Sequence, residues 1–257
     1  MKTVILCGGE GTRLKEHTEI IPKALVEVGG KPILWHIMKI YNAYGITDFI
    51  LCLGYKGEMI KQYFIDYNLR HNSFSIDKEG KMRFHTKNFN NWNITFLDTG
   101  PDDTTKKAQR LKQAKELIGD DELFLASYGD DLSNVNISAL LKFHKSHNKI
   151  ATLTAYTGES PLGVIDFTDR GEITKFREKP STDYWINAGF FVFNRKIFDY
   201  LYLGDLELEV FEKLVEEKQI YAFKHQGFWK PMNTFRDHNE LNELWNKGKA
   251  KWKIWDD

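Results

Sequence analysis

The chain has 257 residues, 42% of them hydrophobic and 28% charged, and its 36 basic side chains balance 36 acidic ones. That composition belongs to a globular domain and excludes a disordered or collagen-like chain. A formal charge of zero removes the broad electrostatic attraction on which nucleic-acid and anionic-lipid binders depend, so neither nucleic acid nor membrane is expected as a partner.

No apolar run nears the roughly eighteen residues that a membrane helix needs. Residues 1–9 pass from a short apolar run straight into glycine, without the longer stretch and cleavage site of a secretory signal, so the cytoplasm is the expected compartment. Cys7 and Cys52 lie in apolar, strand-like runs with no histidine nearby in sequence, and read as small buried hydrophobes rather than a disulfide or metal site.

In chain order, residues 3–7 are a short apolar, β-branched run that predicts a first strand. Residues 31–41 predict a helix, with Pro32 near its first position, apolar residues at helical spacing and Gly45 as a stop. Residues 49–53, 94–97 and 122–127 repeat the strand pattern, and residues 58–67 and 106–118 repeat the helical one, the second ending at Gly119. Strands alternating with helices imply βαβ units, hence an α/β, Rossmann-like three-layer fold with a mostly parallel, mixed sheet and helices on both faces.

Past about residue 148 the pattern changes. Residues 150–156, 163–167, 173–177 and 187–193 read as strands, with a turn at Asp169-Arg170-Gly171, and residues 207–217 and 234–246 read as helices. No Pro/Gly/Ser-rich linker interrupts them, so residues 1–257 are read as one domain with a nucleotide-binding lobe (1–148) and a smaller lobe (149–257) that completes the site. The lysine-rich tail at 247–253, with Trp252 and Trp255, reads as an oligomer contact or a solvated end, and paired tryptophans favour packing onto something.

Leu6-Cys7-Gly8-Gly9-Glu10-Gly11-Thr12-Arg13-Leu14 follows the first strand directly. In an α/β sheet, the loop leaving a strand's carboxyl end lines the ligand crevice. Glycines there let backbone N–H groups approach phosphate oxygens, and an arginine adds charge-assisted, bidentate hydrogen bonds. The run is neither a Rossmann fingerprint, because Leu14 occupies the last glycine position, nor a Walker loop, because no Gly-Lys-Ser/Thr follows. Glycines after a strand by themselves mean only a tight turn. Arg13 and the later Pro22-Lys23 shift the reading toward a nucleoside triphosphate site.

The glycine run followed by Pro22-Lys23 resembles the signature of the sugar-1-phosphate nucleotidylyltransferases. Residues 26–39 are similar to the cytidylyltransferase branch that takes glucose 1-phosphate. So are Gly54-Tyr55-Lys56-Gly57, Asp98-Thr99-Gly100, Tyr128-Gly129-Asp130, residues 227–232 and Leu244-Trp245. The likeness runs essentially end to end. It implies a nucleotidyltransferase fold, and a reaction in which CTP and a phosphorylated acceptor, glucose 1-phosphate first, give a CDP-linked product and pyrophosphate. A polyol phosphate or another sugar phosphate is the alternative acceptor, and a non-catalytic nucleotide-binding protein is the alternative of another class.

The resemblance also implies roles for residues. Leu6, Cys7, Gly8, Gly9, Gly11, Thr12, Arg13, Lys23 and Arg110 would bind nucleotide, with Arg13, Lys23 and Lys179 as the catalytic cations. Tyr128, Glu178, Lys179 and Asn187 would bind the acceptor. Asp130 would ligate Mg²⁺, a hard cation that usually takes one or two carboxylates plus substrate phosphates, although Asp130 and Asp131 could also simply cap a turn. Asn233 stands where relatives carry a second metal carboxylate; its amide oxygen can coordinate but brings no charge. Glu178-Lys179-Pro180 taken alone would be an ordinary exposed turn. Pro161-Leu162-Gly163 and Lys107-Ala108-Gln109-Arg110 replace Arg-aromatic-Gly and Thr-Gly-Gly-Arg steps of relatives, the second in a loop that reaches nucleotide from a neighbouring subunit. Relatives form symmetric assemblies, so a homo-oligomer is expected. Trp35, Trp92 and Trp229 read as core or interface residues, and no histidine spacing suits a metal.

Overall fold

The computed structural model describes residues 1–11, 20–86, 91–101, 105–158, 163–178, 184–202 and 204–256. In chain order the first half comprises β1 (Lys2–Cys7), the short pair β2 (Glu27–Val28) and β3 (Lys31–Pro32), helix α1 (Ile33–Asn42) and β4 (Asp48–Leu53). Helices α2 (Gly57–Ile65) and α3 (Tyr67–His71), the pair β5 (Phe74–Ile76) and β6 (Met82–Phe84), β7 (Asn93–Asp98), and helices α4 (Lys107–Gln113) and α5 (Lys115–Ile118) come next. Then follow β8 (Leu123–Tyr128), β9 (Asp131–Ser133), α6 (Ile137–His147), β10 (Ala151–Tyr156), β11 (Val164–Phe167), β12 (Ile173–Arg177) and β13 (Ile186–Asn194). A π-helical turn (Leu206–Val210), α7 (Phe211–Glu216), β14 (Ile220–His225), β15 (Trp229–Pro231) and α8 (Phe235–Asn246) complete the described elements.

A seven-stranded sheet in the order β14-β10-β13-β8-β1-β4-β7 forms the middle layer. β1 pairs in parallel with both β4 and β8, β4 with β7 and β10 with β14; β13 alone runs antiparallel to its neighbours. The expected mixed, mostly parallel sheet is therefore present. Side chains alternate across it, as strand geometry requires. Val4, Ile50, Cys52, Phe124, Ala126, Phe191 and Phe193 enter one apolar cluster with Leu111 of α4 and Leu214 of α7. Ile5, Phe49, Leu51, Leu53, Leu125, Phe190 and Val192 enter the other, with α1 and Leu241 of α8. Strands covered on both faces read as continuous apolar runs, which is why they are visible in the sequence.

Beyond residue 148, strands β10, β13 and β14 extend this same sheet, while β11 and β12 form a separate hairpin. Several elements were not anticipated, the short pairs β2–β3 and β5–β6 among them. Helix α6 buries only Ile137, Leu140 and His144, a narrow stripe interrupted by a histidine, and owes its start to Asn136, whose side chain accepts from Ala139 N–H at 2.9 Å. β14 is a half-exposed strand at one edge of the sheet, and β9 pairs with β15 over three residues across about a hundred positions of chain. Neither carries a strong apolar period.

The tail tryptophans pack onto their own chain. Trp252 is fully buried and Trp255 nearly so, in an aromatic cage with Trp35, Trp245 and His36, so they do not supply the subunit contact considered for the tail. At the centre His36 Nε2 donates to Val28 C=O at 2.8 Å while Nδ1 accepts from Trp252 Nε1–H at 3.3 Å. Only the neutral ring can do both. Burial lowers its pKa from 6.5 to about 4, with the Val28 hydrogen bond opposing and the Lys31 charge assisting.

Because the unfolded chain binds this proton at higher pH than the folded one, the stability contribution is complete above about pH 6.5 and is lost as pH falls toward 4. His36 should remove about 3 kcal/mol over that window. Urea unfolding at pH 7.5, 5.5 and 4.5 checks this: stability is expected to fall steadily, and a flat series would contradict the neutral cage.

Candidate active site

Strand order reverses at β1, where the chain first builds outward through β4 and β7 and later returns on the other side with β8. Loops leaving the carboxyl ends of strands at such a point diverge and open a crevice. Here the loop after β1 is held on both sides, by Tyr55 N–H to Gly8 C=O at 3.1 Å and Gly129 N–H to Leu6 C=O at 3.1 Å. The result is a cavity of about 420 Å³.

Leu6, Cys7, Gly8, Gly9 and Gly11 form one wall of it, and Lys23 and Arg110 also line it. Tyr128, Asp130, Asn187 and Asn233 complete the set of expected residues found there. Glu178 is not among the lining residues: it lies exposed beyond the end of β12. Thr12, Arg13 and Lys179, together with Pro161, Leu162 and Pro180, lie outside the described residues.

Lys23 opens a 3₁₀ turn (Lys23–Leu25) behind Pro22, whose φ of −65° sets the entry. Its Nζ donates to Asp130 Oδ2 at 2.5 Å and to Asn233 Oδ1 at 2.9 Å. A carboxylate oxygen and an amide oxygen, 103 positions apart in sequence, thus meet on one cation. Met232 N–H to Asp130 C=O at 2.9 Å fixes their backbones, and Asp237 Oδ2 accepts from Asn233 N–H at 3.1 Å. These hard oxygen donors fit a Mg²⁺ site that relies on substrate phosphates for the rest of its shell. Among the described residues no group of three or more His, Cys, Asp or Glu could hold a metal without such help.

Arg110 stands on α4, 2% exposed, in the wall of this chain's own cavity. Its Nη1 donates to Leu53 C=O at 3.1 Å, Thr99 Oγ1 at 2.5 Å and Gly100 C=O at 2.9 Å, joining the ends of β4 and β7. The guanidinium also lies against Gly8, where a Cβ would come within 2.2 Å of it. Gln109 caps the start of α4 by accepting from Lys106 N–H at 2.9 Å. The Cys7 thiol, pushed well up by burial and then by Cys52 and Asp130, stays protonated; both cysteines are buried and free.

Sequence reading missed part of the lining. Asp131, set aside in favour of Asp130, is 6% exposed and faces the same cavity. Its pKa is raised well above the carboxylate range by burial and then by Asp130, against Lys23 and Lys107. Trp229 belongs to the cavity wall, its Nε1 donating to Ala188 C=O at 3.0 Å. Lys107 reaches Glu207 Oε1 at 2.5 Å and lies 4.6 Å from the centre of the Tyr128 ring. The one signal for Lys107 was its place in a segment that departs from the relatives; nothing marked Glu207. Beside Ala188, Gly189 carries the positive φ of 75°.

Residues 2–248 match the family model described as nucleotidyl transferase. The chain belongs to the nucleotidyl transferase family. Glucose-1-phosphate cytidylyltransferase of Salmonella typhi is 46% identical over 263 residues, covering 100% of both chains. Mannose-1-phosphate guanyltransferase of Saccharomyces cerevisiae is 32% identical over 98% of this chain and 66% of its own length. A solved structure of a Bacillus anthracis protein assigned as a glucose-1-phosphate thymidylyltransferase shares the fold with a TM-score of 0.69 at 19% identity, covering 100% of this chain and 98% of that one. This protein is a nucleotidyltransferase.

Arg110 of this nucleotidyltransferase should carry stability as well as shape. Arg110→Met leaves two carbonyls and a hydroxyl without their buried donor and should cost roughly 3 kcal/mol. A fall in Tm of about 6 to 12 °C is expected in thermal unfolding. An unchanged Tm would show that the guanidinium does not hold the strand ends together.

Proposed function

We propose that this nucleotidyltransferase transfers the cytidylyl group of CTP to α-D-glucose 1-phosphate, forming CDP-glucose and pyrophosphate. The observation that carries the reading is the full-length identity to a cytidylyltransferase, combined with a cavity at the switch point of the sheet where a glycine loop faces Lys23 and Arg110.

The acceptor phosphate is already ionised at neutral pH, so no general base is needed. A phosphate oxygen attacks the α-phosphorus, the new P–O bond forms as the bond to the β-phosphate oxygen breaks, and the electron pair leaves with pyrophosphate. The protein's task is to hold two anions in line and to stabilise charge on the departing group. Backbone N–H groups of residues 8–11 bind the nucleotide, Arg13 and Lys23 neutralise its phosphates, and Lys179 seats the attacking phosphate. Tyr128 and Asn187 hold the sugar, with Glu178 as a further acceptor residue from outside the cavity lining. Asp130 and the Asn233 amide oxygen would hold Mg²⁺, which when bound supplies charge neutralisation across the triphosphate. Asn233 adds no negative charge, so metal affinity leans on the nucleotide.

A different sugar phosphate or a polyol phosphate is the second reading of the acceptor, favoured by Lys107 and Asp131 in the lining and by the altered segment at 161–163. The compartment proposed is the cytoplasm. A homo-oligomer is proposed from the exposed apolar residues of the β11–β12 hairpin, Ile165, Phe167, Ile173 and Phe176, which a second copy could cover.

A pyrophosphate-release assay crossing CTP, UTP, TTP and GTP with glucose 1-phosphate and several polyol phosphates tests the reading. CTP with glucose 1-phosphate should be the fastest pair, and equal use of UTP or TTP would remove the cytidine preference. Arg13→Ala and Lys23→Ala should each lower kcat by roughly 10²- to 10³-fold, and normal rates in both would overturn their assignment. Asn233→Asp should lower the Mg²⁺ concentration that gives half-maximal rate. Net inversion at the α-phosphorus is expected; retention would require a covalent intermediate.

A further inference from the structure

One polar cluster on the cavity wall ties Tyr128 and Asn187 to two side chains, Lys107 and Glu207, that have no part in the reaction as derived above. Glu207 Oε1 accepts from Tyr128 OH at 2.5 Å and from Lys107 Nζ at 2.5 Å. Tyr128 OH in turn accepts from Asn187 Nδ2 at 3.1 Å, and Asn187 Oδ1 accepts from Gly189 N–H at 3.1 Å. Each bond in this chain has its direction fixed, because the phenol donates once and the amide is held at both ends.

The cluster rests on rigid supports. Asp205 Oδ1 accepts from Glu207 N–H and Leu208 N–H at 3.0 Å each, which sets the π-helical turn. Leu206 of that turn and Ala108 of α4 are fully or almost fully buried in one apolar cluster. Lys107, Tyr128 and Asn187 face the cavity beside Asp131 and Trp229; Glu207 stands behind them. The Tyr128 phenol, raised in pKa by burial and then by the Glu207 charge, remains a donor.

We propose that Glu207 is a positioning residue for the acceptor: through Tyr128 it orients the Asn187 amide, and by offsetting the charge of Lys107 it selects a hexose 1-phosphate with an uncharged sugar over one whose sugar bears a second anionic group. The inference rests on the reading of Tyr128 and Asn187 as the acceptor end of the site. With Glu207 in place, the wall offers the remaining amide proton of Asn187 and the free ammonium protons of Lys107 to sugar hydroxyls, without net charge. With a neutral side chain there, Lys107 loses its ion-pair partner and keeps only the influence of Asp131 and Asp205, so the wall next to the sugar becomes more positive, which suits a carboxylate.

Steady-state pyrophosphate release with glucose 1-phosphate and glucuronic acid 1-phosphate tests this in the wild type, Glu207→Gln, Tyr128→Phe and the double variant. Glu207→Gln should raise KM for glucose 1-phosphate about tenfold, leave KM for CTP within about twofold, and shift the kcat/KM ratio toward glucuronic acid 1-phosphate. Tyr128→Phe, which removes only a hydroxyl, should raise KM for glucose 1-phosphate without shifting that ratio, and keeps the test valid if Glu207→Gln does not fold. The double variant should be no worse for glucose 1-phosphate than the poorer single one. Unchanged KM for glucose 1-phosphate, equal rises in both KM values, or an unshifted ratio in Glu207→Gln would overturn the inference while leaving cytidylyl transfer intact. A wild type that turns over neither sugar phosphate with CTP would instead overturn the acceptor reading, and this inference with it.

Discussion

The site depends on a single buried cation. Arg110 cannot lose its charge, and at 2% exposure it must find acceptors within the protein. It finds them in the main chain at the ends of β4 and β7 and in the Thr99 hydroxyl, which itself donates to Leu53 C=O at 2.5 Å. The strand ends are thereby held at the separation that keeps the crevice open. The same guanidinium occupies the space a side chain would need at Gly8 and comes within 2.6 Å of a Cβ placed on Gly54. Gly8 of the first loop and Gly54 after β4 are thus fixed by packing against the guanidinium.

Charge in the cavity comes in matched pairs. Lys23 is set against Asp130, and Lys107 against Glu207. Such pairs cost desolvation, and their attraction offsets that cost only where geometry and further hydrogen bonds are good. Asn233 on Lys23 and Tyr128 on Glu207 are those further bonds. In a site arranged this way each of these two cations already has an acceptor that another anion would have to displace.

What could be read from the sequence follows from where the physical signal is local. Strands β1, β4, β7 and β8 and helix α1 announce themselves because their own residues carry the apolar pattern, and the glycine loop because its residues are consecutive. Lys23 drew notice as a cation behind a proline near the glycine run, but its meeting with Asp130 and Asn233 was not legible, since no spacing rule joins residues so far apart. The Lys107–Glu207 pair, exactly one hundred positions apart, had neither a local pattern nor a resemblance to mark it. Helix α6 and strand β14 escaped because one buries a histidine in its stripe and the other lies at an edge with little to bury. The β13 strand shows the opposite case: its long apolar run made it visible, but its antiparallel direction is a property of the sheet and not of the strand.

Asp131 gives a reason for the amide at position 233. The Asp131 carboxylate is buried beside Asp130, and each additional negative charge nearby raises the cost of keeping it ionised. With asparagine at 233, Lys23 is balanced by Asp130 alone and its field still opposes the upward shift of Asp131. A carboxylate at 233 would place a second negative charge on Lys23, leave the group net negative, and drive Asp131 further toward its protonated form. The upward shift that Asp131 already has would deepen, and the acidic charge would be concentrated on the Lys23 side of the cavity. The residue at 233 and the residue at 131 are therefore electrostatically linked through Lys23 and Asp130.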